Sequence, residues 1–333
     1  MKIAFFEVEG WEEKIVRGTL AGQDVVFSAG KISDAGTETQ DAEIISPFID
    51  SPINKETLAR FPNLKFIATR STGFDHIDLH ACKERGILVS NVPGYGNNTV
   101  AEFAFGLILS LTRKIYKAID RIKEAENFSL DGLRGIDLKG RTIGIIGTGR
   151  IGKEAIKIAK GFGMNVVAYD LQPNETSANV LGFSYAPLEE LLEQSDVISI
   201  HAPLNESTLH LINSKNIIFI KRGAYLVNTA RGGIVETGAL LTALRDGILA
   251  GAGLDVLEEE GDIKDEMKFL SKGSADAEKL QVMLQSHALM NMENVLITPH
   301  NAFNSQEALE RILTATLENV SAFVGGKSQN LVP

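Results

Sequence analysis

Thr142-Ile143-Gly144-Ile145-Ile146-Gly147-Thr148-Gly149-Arg150-Ile151-Gly152 is the stretch from which the rest of the chain is read. A short apolar run, 142–146, leads directly into glycines at 147, 149 and 152, spaced G-x-G-x-x-G. That spacing alone is weak, because Gly-rich turns match it by chance. Its context is specific: an apolar strand enters it, and a helical pattern over residues 152–163 leaves it. Gly147 permits the tight turn, Gly149 lets the backbone approach a pyrophosphate, and Gly152 lets the helix pack on the strand. The helix N-terminus offers N–H groups and a partial positive charge to the anion. The next strand pattern ends at Tyr169-Asp170, which puts Asp170 21 positions beyond Gly149. An acid there bonds a ribose 2′-hydroxyl and repels a 2′-phosphate, so NAD is expected over NADP.

Outward from this stretch the chain alternates. Downstream strand patterns cover residues 142–146, 166–169, 196–201, 224–228, 251–256 and 294–298, with helical patterns at 152–163, 188–194, 214–220 and 238–247. An upstream series has strands at 2–6, 24–27, 43–46, 65–68 and 87–90, separated by segments such as 55–61 and 80–85 that suit helices. Alternating β and α predicts α/β architecture with two doubly wound parallel sheets. The strands are continuous apolar runs, as expected for sheets covered on both faces. Between the two series, Thr99-Val100-Ala101-Glu102 has the form of a capping box. It predicts one long helix carrying Phe103, Leu107, Leu111, Ile115, Ile119 and Ile122, buried in its first half and amphipathic in its second. Residues 258–291 break the rhythm and read as a functional loop or an insertion with its own helix. Residues 305–325 read as one amphipathic helix.

The whole chain has 333 residues, which at roughly 150 per domain suggests two domains. Acidic residues (43) outnumber basic ones (33), and the net charge of −10 argues against nucleic acid or an anionic membrane as partner. A single cysteine, Cys82, excludes an intrachain disulfide and a cysteine-rich metal site, and fits a reducing compartment. The N-terminal apolar run is too short for a secretory signal, and the apolar stretch 100–111 is too short to span a bilayer. A cytoplasmic protein with no metal centre is the expectation.

Three further stretches fall near predicted strand ends, the edge where open α/β sheets bind ligands. In Asn228-Thr229-Ala230-Arg231-Gly232-Gly233, an arginine beside glycines can hold a carboxylate through two parallel hydrogen bonds. Leu254-Asp255-Val256-Leu257-Glu258-Glu259-Glu260 concentrates acids, and Thr298-Pro299-His300-Asn301 ends a strand in a histidine. Taken singly, each has a plain structural reading: a surface arginine, a solvated acidic run, a strand-end histidine. Together they suit proton transfer, because a carboxylate holds a neighbouring histidine in one tautomer and favours its charged form.

With these motifs, and with Thr69-Arg70-Ser71-Thr72-Gly73-Phe74-Asp75-His76-Ile77-Asp78 and His201-Ala202-Pro203-Leu204, the chain resembles the D-isomer-specific 2-hydroxyacid dehydrogenases over nearly its whole length. The resemblance implies a catalytic set of Arg231, Glu260 and His300. Glu260 is picked out as the fifth residue after Asp255, which leaves Glu258 and Glu259 as solvated. Cofactor contacts are implied at Gly147, Gly149, Arg150, Ile151, Gly152, Asp170, Ala202, Pro203 and Thr208, with Thr229 and Asp255 near the nicotinamide. Substrate contacts are implied at Arg231, at the backbone N–H groups of Thr72 and Gly73, and at Tyr95 and Phe303. The family layout makes residues 1–98 and 301–333 a flavodoxin-like substrate domain and 99–300 a Rossmann NAD-binding domain, with hinges near Asn98 and Asn301. It also implies a homodimer formed through the NAD-binding domain, for which the apolar stretch 100–111 is the candidate surface.

Asn91-Val92-Pro93-Gly94-Tyr95 and the long segment 261–293 resemble the D-lactate dehydrogenase branch, although Gly96-Asn97-Asn98-Thr99 departs from that branch's Ser-Pro. The expected reaction is NAD-dependent interconversion of a small 2-oxo acid and its D-2-hydroxy acid, pyruvate and D-lactate first. Hydroxypyruvate or glyoxylate reduction is the alternative within the family. The C-terminal-binding-protein corepressors also resemble it, which keeps open a non-enzymatic NADH-sensing role. A formate-type enzyme is disfavoured, because that relative pairs its histidine with glutamine where Glu260 stands here.

Overall fold

The computed structural model describes residues 1–261 and 277–333, and these form two compact units. The first comprises Met1–Tyr95 with Ser305–Pro333, the second Gly96–Asn304. Their borders fall a few residues outside the hinges expected at Asn98 and Asn301.

In the first unit, strands β1 (Lys2–Phe5), β2 (Asp24–Phe27), β3 (Ile44–Ser46), β4 (Phe66–Ala68) and β5 (Leu88–Ser90) pair in parallel in the order β2-β1-β3-β4-β5. Alternate residues go to opposite faces, as the pleat requires. Ile3, Phe5 and Phe66 pack with Leu313, Leu317 and Val320 of the terminal helix, while Ala4, Ile45 and Ile67 pack with Leu58, Ala81 and Cys82. Helices α1 (Gly10–Thr19), α2 (Lys55–Ala59) and α3 (Leu79–Glu84) supply the remaining cover. Burial pushes the Cys82 thiol up to about 11, with Asp78 adding to the effect, so this cysteine packs rather than reacts.

In the second unit, β6 (Thr142–Ile146), β7 (Asn165–Tyr169), β8 (Ser184–Tyr185), β9 (Val197–Ile200), β10 (Ala224–Asn228), β11 (Leu249–Leu254) and β12 (Val295–Ile297) form a parallel sheet ordered β12-β11-β10-β9-β6-β7-β8. The order reverses between β6 and β9, which creates a crevice at the strand C-termini. Ile143, Ile145, Val197 and Val227 face α4 (Asn97–Thr112) and α6 (Arg150–Gly161), and Ile146, Ile198, Ile200 and Leu226 face the opposite layer. That layer includes α8 (Leu188–Gln194), α9 (Thr237–Arg245) and α10 (Ala277–Met290). Each fully buried aliphatic side chain contributes roughly 1.5–3 kcal/mol.

Several expectations need correction. The helix expected through Ile122 is two helices, α4 and α5 (Ile115–Ala125), broken at Lys114 with φ +53°. The cause is non-local. The Thr112 carbonyl accepts Ile136 N–H at 2.9 Å, which diverts it from continuing the helix. The capping box does not form either. The helix starts at Asn97 with Gly96 as N-cap, which places Thr99 inside its first turn and leaves Glu102 bonded to Asn98 Nδ2 at 3.0 Å. The apolar stretch 100–111 is consumed inside this unit, where Ala101, Ala104, Phe105, Leu107, Ile108 and Leu111 are buried.

Residues 214–220 make only a 3₁₀ turn, Ile217–Phe219. The Asn213 and Asn216 side chains bond local backbone N–H groups there and compete with a helix. The short β8 and the helix α7 (Glu175–Leu181) were not expected. The irregular 258–291 segment contains α10; its residues 262–276 lie outside the described residues. The terminal helix, α11 (Gln306–Val324), is capped by Ser305, whose Oγ accepts Ala308 N–H. Among the described residues, no helix is long and apolar enough to cross a membrane.

Candidate active site

The glycine turn is built for close approach. Gly147 has φ +92°, and a Cβ there would lie 2.7 Å from the His201 carbonyl oxygen. A Cβ on Gly152 would lie 2.0 Å from the Gly147 oxygen, so helix and turn can meet only through glycine. Gly149 is the N-cap of α6 and has open space on its Cβ side, where an anion can reach the N–H groups of Arg150 and Ile151.

Asp170, at the end of β7, is drawn onto the turn. Its Oδ2 accepts Thr148 N–H at 2.7 Å and Thr148 Oγ1–H at 2.8 Å, and Oδ1 accepts Gln172 N–H at 2.9 Å. Burial pushes this carboxyl up, but these hydrogen bonds and nearby Lys153 outweigh it and hold the group below the usual carboxylate range. It therefore presents a full negative charge. Asp170→Ala is expected to reduce the preference for NAD over NADP roughly tenfold, equivalent to about 1.4 kcal/mol of lost discrimination. Comparing the two cofactors' dissociation constants checks this, and an unchanged ratio would remove Asp170 from the selection.

Ala202 follows β9 with its N–H beside the glycine turn. The Thr208 hydroxyl closes the next turn by donating to the Pro203 carbonyl at 2.6 Å and accepting Asn205 N–H at 2.8 Å. At the ends of the neighbouring strands, His201 Nδ1 and Thr229 Oγ1 are buried without a hydrogen-bond partner among the described residues. Such atoms are costly unless a ligand satisfies them. With the glycine cradle, and with Asp170 as an acceptor for a ribose hydroxyl, they form a polar set that fits NAD.

The other ring nitrogen of His201, Nε2, lies 2.9 Å from Ser199 Oγ, and burial pushes the imidazole down to about 4. The unfolded chain protonates this ring near 6.5, so it binds a proton that the folded protein refuses. Stability of the cofactor-free protein is full above that pH and falls as the pH drops toward 4, by up to about 3 kcal/mol. His201→Gln should flatten this dependence in denaturant titrations at several pH values; an equally steep curve in the variant would contradict it.

The chemical end rests on the turns after β10, β11 and β12. Asp255 is buried at the end of β11, and Oδ1 accepts Thr298 Oγ1–H and Asn301 N–H while Oδ2 accepts Ala302 N–H at 2.8 Å. Its backbone carbonyl accepts His300 N–H at 2.9 Å. Asp255 thus staples the turn that carries His300, a task its expected place near the nicotinamide did not suggest. Burial raises its carboxyl, and the hydrogen bonds from Thr298, Asn301 and Ala302 oppose that. His300 has φ +54°, and its Nδ1 lies 3.3 Å from both Glu260 oxygens. With Nδ1–H facing the carboxylate, Nε2 is the atom that can exchange a proton with a ligand. The Phe303 ring meets the imidazole edge-on, with centroids 6.4 Å apart.

Arg231 follows β10 in extended conformation; its carbonyl accepts Asn228 Nδ2–H at 2.9 Å, and its Nη1 donates to the Ala230 carbonyl at 2.8 Å. Arg231 and Glu260 line one cavity of about 260 Å³, together with Leu204, Leu209 and Val256. His210, Glu259 and His300 all have positive φ, which is uncommon outside glycine and tends to gather at functional sites.

One reading is overturned here: Glu258 is not solvated. Its side chain is 14% exposed, with Oε1 2.6 Å from His210 Nε2 and Oε2 accepting Thr237 Oγ1–H at 2.6 Å. A run of acids gives no hint of this, because the partners lie 48 and 21 positions away. Glu259 pairs with Lys279 at 2.7 Å.

The remaining candidates belong to the first unit. Thr72 Oγ1–H donates to the Val92 carbonyl at 2.6 Å, the Thr72 carbonyl accepts Asn91 Nδ2–H at 2.7 Å, and the Gly73 carbonyl accepts Ser71 Oγ–H at 2.6 Å. The Tyr95 carbonyl accepts Arg311 Nε–H at 2.6 Å.

Comparison with known proteins points to one family. Residues 105–302 match the family model described as D-isomer specific 2-hydroxyacid dehydrogenase, NAD binding domain. A 2-hydroxyacid dehydrogenase homolog of Zymomonas mobilis is 36% identical over 333 residues, 98% of each chain. A glyoxylate reductase of Korarchaeum cryptofilum is 37% identical over 86% of this chain and 81% of its own. Among solved structures, D-lactate dehydrogenase from Aquifex aeolicus complexed with NAD and lactic acid superposes with a TM-score of 0.85 at 39% identity, covering 97% of this chain and 96% of the other.

Proposed function

The chain belongs to the D-isomer-specific 2-hydroxyacid dehydrogenases, NAD-dependent oxidoreductases of small 2-hydroxy acids, and from that premise we propose that it interconverts pyruvate and D-lactate through Arg231, Glu260 and His300. The observation that carries the residue assignment is the Glu260–His300 contact beside the cavity that Arg231 and Glu260 share. The likeness to a lactate-bound D-lactate dehydrogenase supports the choice of substrate.

When bound, NADH supplies the hydride that reaches the substrate's C2 carbon. The chain's own work is binding, orientation and proton transfer. Arg231 takes the carboxylate in its guanidinium fork. The family resemblance alone adds the backbone N–H groups of Thr72 and Gly73, with Tyr95 and Phe303, to the proposed substrate contacts. His300 Nε2 gives its proton to the carbonyl oxygen as C2 is reduced, and takes it back from the hydroxyl in the reverse direction. Glu260 holds the ring in the tautomer that keeps Nε2 on the substrate side and stabilises the imidazolium.

A panel of pyruvate, hydroxypyruvate, glyoxylate, phenylpyruvate and 2-oxoisocaproate, followed by NADH consumption, tests the substrate. Pyruvate should have the highest kcat/KM. A lead for glyoxylate or hydroxypyruvate would shift the assignment to the activity carried by the archaeal relative's name, and would leave the residue roles intact. NADH binding without any turnover would favour a sensing role.

The proposal also includes a homodimer in the cytoplasm. The stretch 100–111 no longer supports it, being buried within its own unit. Support comes instead from α5, whose Ile115, Ile119 and Ile122 are exposed, and from Phe128 and Leu130, which are 80% and 81% exposed. Light scattering should give twice the 36.1 kDa chain mass, and a monomer would reject the dimer.

A further inference from the structure

The acidic loop after β11 carries a second carboxylate–histidine pair, two positions before the first. We propose that Glu258, gripped by His210 and Thr237, is a positioning residue that sets the Glu260 carboxylate against the His300 ring. This rests on the reading of Glu260 and His300 as the proton-transfer pair.

Three observations fix the loop. Glu258 is anchored inward, with Oε1 2.6 Å from His210 Nε2 and Oε2 accepting both Thr237 Oγ1–H at 2.6 Å and Thr237 N–H at 3.2 Å. Thr237 is the first residue of α9, so the carboxylate also sits at the positive end of that helix. The loop backbone lies directly on the Arg231–Gly232 backbone: a Cβ on Gly232 would fall 2.0 Å from the Leu257 carbonyl carbon. Glu259, at φ +54°, then turns the chain, so that consecutive acids face His210, Lys279 and His300. His210 is itself held at φ +49°, with its N–H on the Gly233 carbonyl at 2.8 Å and its carbonyl accepting Asn213 Nδ2–H. Strain at His210 and Glu259 persists only where the surroundings over-determine it.

Without the Glu258 anchor, the loop loses the hydrogen bonds from Thr237 and the contact with His210 that fix its position. A displacement of about 1 Å in a group that orients an acid/base costs on the order of 100-fold in rate.

The test compares Glu258→Ala, Glu258→Gln and Glu260→Gln with the double variant Glu258→Ala/Glu260→Gln, using the 2-oxo acid that leads the panel. Glu258→Ala should lower kcat by about 10- to 100-fold while the NADH dissociation constant, read by fluorescence, stays within about threefold. Glu258→Gln, whose amide oxygen can still accept from Thr237 while its NH2 donates to Nε2 of His210, should recover most of kcat. In the double variant, Glu258→Ala should add little to the Glu260→Gln loss. An unchanged kcat in Glu258→Ala, a parallel loss of NADH affinity, no rescue by glutamine, or full additivity would each overturn the positioning role. A Glu260→Gln enzyme with parental kcat would instead overturn the assignment of Glu260 itself.

Discussion

His300→Ala is expected to lower kcat by about 100- to 10,000-fold, the range in which a positioned acid/base contributes to a proton-transfer step. NADH affinity should hardly move, because the glycine turn, Asp170 and Thr229 are separate from the imidazole. The expectation follows from where the ring is held. His300 N–H donates to the carbonyl of Asp255, and the Asp255 carboxylate accepts from both residues that follow the histidine. A buried carboxylate used in this way fixes a short turn in a conformation that a non-glycine residue otherwise avoids. Glu260 then fixes the ring through Nδ1. Removing the imidazole takes away the one atom so arranged, Nε2, and leaves its scaffold intact. Steady-state kinetics paired with NADH fluorescence titration separates the two effects. Undiminished turnover would remove His300 from the mechanism.

Arg231→Lys is the second large effect, although it conserves charge. A hydrogen bond to a charged group contributes about 1.5–3 kcal/mol, and a lysine cannot make the two parallel ones of a guanidinium fork. The expected fall in kcat/KM is about 100- to 1,000-fold, mostly through KM for the oxo acid. The backbone around Arg231 is also held by contacts that do not involve its side chain. Asn228 Nδ2–H bonds the Arg231 carbonyl, and Gly232 lets the 257–258 backbone close over it. The variant should therefore fold, and its thermal midpoint should match the parent's within about 2 °C. A near-normal kcat/KM would end the carboxylate role of Arg231.

How much of this was legible in the sequence depends on how local each feature is. The dinucleotide turn was legible because strand, glycines and helix are contiguous. The mixed burial of β6, with Ile143 and Ile145 on one face and Ile146 on the other, follows from its unbroken apolar run. The break at Lys114 was not legible, because the Ile136 N–H that captures the Thr112 carbonyl arrives from 24 positions downstream. The 3₁₀ turn at Ile217–Phe219 was in principle readable from Asn213 and Asn216, whose side chains compete with helical hydrogen bonds. The acidic run shows the same limit at the site. From composition, Glu258, Glu259 and Glu260 are interchangeable, and only family resemblance singled out the last. The structure separates them by partner: His210 and Thr237, Lys279, and His300. The stapling role of Asp255 was hidden for the same reason, since its partners lie on a turn more than 40 positions away.

The central claim is D-selective oxidoreduction of a small 2-hydroxy acid with NAD. The most direct measurement offers the protein NAD with D-lactate and with L-lactate in separate reactions and follows NADH formation. The account predicts NADH from D-lactate alone, with the signal lost in His300→Ala. NADH formation from L-lactate, or an equal rate in His300→Ala, would contradict it.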